Sequence, residues 1–335
     1  MLAIAAIAQS LHSYTDSLTE LLRNVDTGYV AIVGCGVIGA SWTAHYLARG
    51  YEVVATDPAP GVADRLHNLV ETYWPALERI GLAEGASKDR LRFEADLAKA
   101  VQGAAFVQEN GPERLDIKRS LIAGIDAVVR DDVLIATSSS GILVSAIQDA
   151  ARHPERVVLG HPLNPPHLIP LVEVAGGKLT SADSIKRAVD FYRSIGKRPI
   201  RLRREMKGHV ANRLQAALWQ EAFYLVDEGV ASVAEIDQAI AYGPGLRWAL
   251  LGPFLNLQLS GGDGGIKHVL DHLGPSMEDI WNDQGRIAIN PKIIEDVAEG
   301  VNEELKQFSL ARMIEQRDDV LLSLLALKNT HEQLP

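Results

Sequence analysis

An apolar run joined directly to a glycine-rich turn constrains this chain more than any other feature. Residues 29–34 read YVAIVG, with no charged side chain, as a strand buried on both faces of a parallel sheet requires. Gly34-Cys35-Gly36-Val37-Ile38-Gly39 follows at once and opens a helical stretch to Arg49, which Gly50 can end. In that position G-x-G-x-x-G has a physical meaning. Gly34 permits the tight turn, Gly36 lets the backbone approach a pyrophosphate, and Gly39 lets helix and strand pack closely. The first free N–H groups of the helix, around Val37 and Ile38, then offer partial positive charge to phosphates. Asp57 ends the next strand-like run (residues 51–57, YEVVATD), 18 residues after Gly39. A carboxylate there accepts hydrogen bonds from ribose hydroxyls and repels a 2′-phosphate, so the cofactor expected is NAD rather than NADP. Cys35 has no partner thiol and no activating base nearby in sequence, and reads as a structural thiol.

Further strand-like runs fall at 105–108, 133–137, 157–161, 170–174 and 199–202, alternating with helical stretches. That alternation predicts βαβ units and a largely parallel sheet. Thr180-Ser-Ala-Asp183 reads as a capping box for a helix ending near Ile195. Beyond Met206 no strand is evident. Residues 208–228 read as one long amphipathic helix, with Val210, Leu214, Leu218 and Leu225 at helical spacing, and Ser232-Val-Ala-Glu235 caps another. Residues 241–266 are glycine-rich helix ends and turns, and helix resumes at Ile266. A chain of 335 residues exceeds one comfortable core. The expected organisation is α/β: an N-terminal extension (1–28), a Rossmann-type NAD-binding domain (29–205) and an all-helical domain (206–335).

Composition narrows the partners. A net charge of −10 gives no basic face for nucleic acid. The single cysteine rules out an internal disulfide framework and suits a reducing, cytoplasmic compartment. Residues 1–10 are apolar and Ala-rich but short and without a preceding Lys or Arg, so they read as a helix or loose extension, not a secretory signal. No run approaches the roughly 18 apolar residues of a membrane span. No metal is expected.

Gly160-His161-Pro-Leu-Asn164-Pro165 places His161 just past the C-terminal end of a strand, where open α/β sheets bind ligands. Twelve residues on, Glu173 interrupts the apolar LVEV. A carboxylate buried there needs a partner, and an imidazole is suitable. A histidine oriented by a carboxylate can take the proton of a substrate hydroxyl while hydride departs. Ser140 follows the strand-like VLIAT and points from the same sheet edge; on its own it also fits a strand-end cap, as Asn212 fits a helix cap.

Together these residues resemble the 3-hydroxyacyl-CoA dehydrogenase superfamily, from about Tyr29 to at least Gly274. The likeness is carried by the glycine turn, ENGPERLDIK with Glu113 and Lys118, Thr137-Ser-Ser-Ser140, HPLNPPHLIPLVEV, and Gly208-His-Val-Ala-Asn212-Arg213. It implies that His161 and Glu173 form the catalytic pair and that Ser140 and Asn212 hydrogen-bond the reacting oxygen. It also implies that Glu113 and Lys118 line the nicotinamide side, and that the helical surfaces pair in a homodimer. The chain departs from the acyl-CoA members at 58–96, which is compact and carries five Lys/Arg against seven acids. A CoA polyanion finds no basic clamp there, so a small free 3-hydroxy acid is expected. Residues 74–87, GLRW (245–248), GGDGGIKH (261–268) and Gly274-Pro275 are similar to the carnitine-oxidising branch. The gulonate-oxidising branch is the alternative, with its lambda-crystallin relatives supplying a non-catalytic one. Arg247 could clamp a carboxylate, and Trp248, Trp74 or Tyr242 could face a quaternary ammonium.

Overall fold

The run at 29–33 is a strand because both of its faces are covered. In the computed structural model, which describes residues 28–334, Val30 and Ile32 point into one apolar cluster and Ala31 and Val33 into the other. The expectations for residues 1–27 lie outside the described residues. The chain divides into two compact units, the first ending at Val210 and the second running Ala211–Pro335.

The first unit holds an eight-stranded sheet: β1 (Tyr29–Val33), β2 (Val53–Thr56), β3 (Leu91–Phe93), β4 (Ala104–Glu109), β5 (Leu134–Thr137), β6 (Val157–Pro162), β7 (Leu171–Gly176) and β8 (Arg198–Arg201). Their order is β3-β2-β1-β4-β5-β6-β7-β8. Neighbours run parallel except β6 and β7, which are antiparallel. The order reverses between β1 and β4, so a crevice opens at their C-terminal ends, the usual ligand position in such sheets. Helices cover both faces: α1 (Val37–Ala48), α2 (Val62–Ile80), α3 (Leu97–Val101), α4 (Leu115–Asp126), α5 (Val144–Gln148) and α6 (Ala182–Ser194). α1 is buried from Gly39 to Ala48. Its Trp42 and Tyr46 pack on Tyr192 and Phe191 of α6, at ring separations of 5.7 and 6.0 Å.

One local expectation needs correction, and one strand was not anticipated. β3 is a strand that no apolar run announces, because only Leu91 of its three residues is buried. The cap of α6 is Ser181, whose side chain accepts the Ser184 N–H. Thr180 is engaged elsewhere, donating to the Val157 carbonyl at 2.7 Å, so the cap moves on by one residue.

The second unit is helical: α7 (Ala211–Asp227), α8 (Val233–Tyr242), α9 (Pro244–Trp248), α10 (Pro253–Ser260), α11 (Gly265–Asp283), α12 (Pro291–Leu305) and α13 (Leu310–Asn329). α7 starts at Ala211 rather than 208 because Gly208 and His209 take left-handed φ values of 76° and 51°. Ser232 and Glu235 form the expected reciprocal capping box on α8. No described helix is long and apolar enough to cross a membrane.

Candidate active site

The glycine turn leaves β1 and enters α1 at the sheet's crevice. A Cβ on Gly34 would sit 2.7 Å from the Asn110 carbonyl, and one on Gly39 would sit 1.9 Å from the Gly34 carbonyl oxygen. Those two glycines are required by the protein's own packing. Gly36 is not: a Cβ there would meet nothing within 4 Å. The open space above it, beside the exposed first turn of α1, is where a pyrophosphate would approach the backbone.

Asp57 closes the loop from β2. Its Oδ2 accepts the Cys35 N–H at 2.8 Å and its Oδ1 the Ala59 N–H at 2.9 Å. The carboxylate is thereby fixed at the crevice with lone pairs left for ribose hydroxyls. The Cys35 thiol reaches the Thr56 carbonyl oxygen at 3.5 Å. Burial, with Asp57 beside it, pushes that thiol up to about 12, which fits a structural thiol and not a reactive one.

Beyond β4 lies a buried charge cluster. Lys118 of α4 is fully buried and its Nζ donates to Glu109 Oε1 and Oε2 at 3.1 and 3.0 Å and to the Gly111 carbonyl at 3.1 Å. Glu109 also accepts the Thr137 hydroxyl at 2.6 Å and the Gly111 N–H at 2.6 Å. Glu113, which the sequence placed beside Lys118, is 3.8 Å from it and half-exposed. Partial burial opposes its ionisation. The Ser139 hydroxyl, the Gly141 and Ile142 N–H groups and Lys118 outweigh that and hold the carboxyl below its ordinary range. Glu109 was not foreseen in the sequence, although it carries the signal that pointed to Asp57: an acid at the end of a strand-like run.

β6 and β7 run antiparallel with His161 directly opposite Glu173, which explains their twelve-residue separation. Both are buried. His161 Nδ1 lies 2.8 Å from Glu173 Oε2, and Nε2 lies 3.1 Å from the Ser140 hydroxyl. The carboxylate is an acceptor, so the ring proton belongs on Nδ1, and the Nε2 lone pair accepts from the Ser140 hydroxyl. The second Glu173 oxygen accepts the Val210 N–H at 2.8 Å. His209, also unforeseen, lies with its ring centroid 4.8 Å from that of His161.

Asn212 is in the first turn of α7, half-buried. Arg247 and Trp248 end α9 and are exposed, as is Tyr242 at the end of α8. These residues belong to the second unit. Trp74 is not available to a ligand: it is buried in the core, with Lys88 Nζ 5.8 Å from its ring centroid.

A doubly wound sheet, a glycine turn open above Gly36, a fixed acid at the end of β2 and a His–Glu pair on the neighbouring strands define an NAD-dependent dehydrogenase. Comparison with known proteins narrows the class. The model of the 3-hydroxyacyl-CoA dehydrogenase NAD-binding domain matches residues 29–206, and that of the family's C-terminal domain matches 208–306. The chain therefore belongs to the 3-hydroxyacyl-CoA dehydrogenase family. It is 50% identical over 289 residues to an L-carnitine dehydrogenase of Streptomyces coelicolor, covering 86% of this chain and 91% of that one. An L-carnitine dehydrogenase of Bacillus cereus is 46% identical over 298 residues, with 89% and 91% covered. Among solved structures, the FHMPC 5-dehydrogenase, an NAD+-dependent dismutase, aligns with a TM-score of 0.80 at 29% identity, over 91% of this chain and 99% of that one.

Proposed function

We propose that this enzyme oxidises the 3-hydroxyl of L-carnitine to 3-dehydrocarnitine with reduction of NAD. The observation that carries the chemistry is the continuous Ser140–His161–Glu173 hydrogen-bonded chain near the C-terminal end of β6. The substrate rests on the relatives, which share 46–50% identity over most of the chain and are L-carnitine dehydrogenases.

NAD, held by Gly34, Gly36, Val37, Ile38, Gly39 and Asp57, supplies the hydride acceptor. The substrate hydroxyl donates to His161 Nε2, which takes its proton as the carbonyl forms. Glu173 keeps the ring in the correct tautomer and balances the imidazolium. Ser140, and Asn212 at the start of α7, hydrogen-bond the reacting oxygen. Glu113 lines the nicotinamide side, and the buried Lys118, anchored by Glu109, stands behind it at 3.8 Å. Arg247 serves the substrate carboxylate and Trp248 its trimethylammonium. A free acid suits the surface around α2 and β3 better than a CoA ester. Lys88 is paired with Glu71 and Arg92 with Glu52, while Arg65 and Arg90 are turned to the Pro60 and Gly50 carbonyls.

Residues 29–205 hold the cofactor, and 206–335 serve substrate and self-association. The second unit supports a homodimer. Val269, Ile293 and Leu322 are the buried large apolar residues among those described, whereas Phe254, Leu259, Ile280 and Trp281 are exposed. A second copy would cover such a surface. The single cysteine suits a cytoplasmic setting.

Substitution tests the base directly. His161→Ala should lower kcat by roughly two to four orders of magnitude with NAD affinity kept. Glu173→Gln, which preserves shape but not charge, should also be strongly impaired. Near-normal turnover in Glu173→Gln would show the pairing to be irrelevant to the reaction.

A further inference from the structure

The backbone at the end of the first unit is unusual. Among the described residues His209 is the non-glycine residue with positive φ, 51°, and it follows Gly208 at 76°. A side chain with a Cβ is disfavoured in that region and persists there only where its surroundings hold it. Here they do. The ring is buried, and its Nε2 lies 2.9 Å from the Ser139 carbonyl oxygen. Nε2 must therefore carry the ring proton and donate. Nδ1 is buried without a hydrogen-bond partner, which suits a neutral ring.

The next residue completes the arrangement. Val210 N–H donates to the Glu173 oxygen that His161 does not use. Two consecutive residues thus hold both ends of the Ser140–His161–Glu173 chain. One fixes the carbonyl immediately before Ser140, the other fixes the far oxygen of Glu173, and the His209 ring lies against His161 between them. The left-handed turn lets the ring and the following N–H reach these two groups together.

We propose that His209 is a positioning residue for alcohol oxidation, acting through Ser140 and Glu173 to aim His161 Nε2 at the substrate hydroxyl; this rests on the His161–Glu173 assignment above. The titratable groups facing it are His161 on β6, Glu173 on β7 and Glu113 beyond β4. Burial is the largest influence on His209 and, with His161 beside it, lowers its affinity for a proton, against the carboxylates and the Ser139 carbonyl. The ring therefore stays neutral where the base works, and adds no second cation beside the imidazolium.

The test compares His209→Phe, His209→Asn and His161→Ala in the full chain. Steady-state oxidation of L-carnitine is followed from about pH 6 to 10, with NAD binding and thermal unfolding measured alongside. Phenylalanine keeps the ring volume but cannot donate. It should lower kcat by roughly ten- to a hundredfold, leave NAD affinity within about threefold, and shift the acidic limb of the kcat/KM profile by at least about half a pH unit. Asparagine tolerates the left-handed backbone and retains an N–H donor, and should recover kcat to within about fivefold of the unsubstituted enzyme without the shift. If Phe turns over normally with the limb unmoved, or if Phe and Asn lose activity equally with the limb unmoved, the proposal is overturned. Should the Phe protein fail to fold, the Asn protein decides alone: about a hundredfold loss in a folded His209→Asn overturns it. His161→Ala separates the two ideas. Full activity there removes the base assignment itself, whereas an inactive His161→Ala beside an unaffected His209→Phe removes only the role of His209.

Discussion

Lys197 shows how a residue far from the reacting atoms can control the pH response of the fold. It precedes β8, its ammonium is buried 5.2 Å from the Trp42 ring centroid, and it donates to the Pro166 and Ile169 carbonyls of the segment that follows His161. Burial, reinforced by Arg49, lowers its pKa to about 7. Unfolded, the same lysine keeps its proton to about pH 10.4. Between those values the unfolded chain binds more protons than the native one, so stability rises with pH. Below about pH 7 both states are charged, and the native state bears the full cost of a buried cation. The melting temperature should therefore climb between about pH 7 and 9 relative to Lys197→Met, whose side chain cannot titrate. Parallel curves for the two proteins would show that Lys197 is charged when folded. Nothing in the residues around Lys197 announces this, since a lysine before a strand normally reads as exposed. Asp57 and Glu173 were legible because an acid in an apolar run has few explanations.

At the scale of elements, β6 and α6 meet without slack beside His161. Gly160, immediately before His161, has no room for a side chain: a Cβ would lie 1.9 Å from the Tyr192 hydroxyl. That hydroxyl donates to Gln108 Oε1 at 2.7 Å, and Gln108 Nε2 donates back to the Gly160 carbonyl at 3.3 Å. Gly160→Ala must push α6 away or break this loop of bonds. We expect a loss of roughly 1–3 kcal/mol or more in denaturant unfolding, and a loss below about 0.5 kcal/mol would show that the contact relaxes freely. The same elements show what the sequence could reveal. Strands buried on both faces were visible as unbroken apolar runs. The antiparallel turn of β7 was not, because strand direction is set by hydrogen-bond register and leaves no trace in composition. β3 was hidden by its exposed residues, and the cap of α6 by a Thr180 hydroxyl already used on β6. His209 escaped because residues 208–228 look helical throughout, and only the backbone angles show that the helix waits until Ala211.

For the whole molecule, the exposed apolar side chains of the helical unit set the first expectation. Sedimentation or light scattering should report about twice the 36.4 kDa chain mass. A monomer at micromolar concentration would contradict the dimer. Assembly bears on stability, and one assay reaches the chemistry. The purified enzyme is given NAD with L-carnitine, L-gulonate, 3-hydroxybutyrate or 3-hydroxybutyryl-CoA, and NADH is followed by absorbance. Discrimination against 3-hydroxybutyrate reports the ammonium site, since a desolvated cation–π contact contributes about 2 kcal/mol, more than tenfold in kcat/KM. The prediction is rapid NADH formation with L-carnitine, at least about tenfold slower kcat/KM with 3-hydroxybutyrate, and little with the CoA ester. Strong activity on gulonate or on the CoA ester, with none on carnitine, would contradict it.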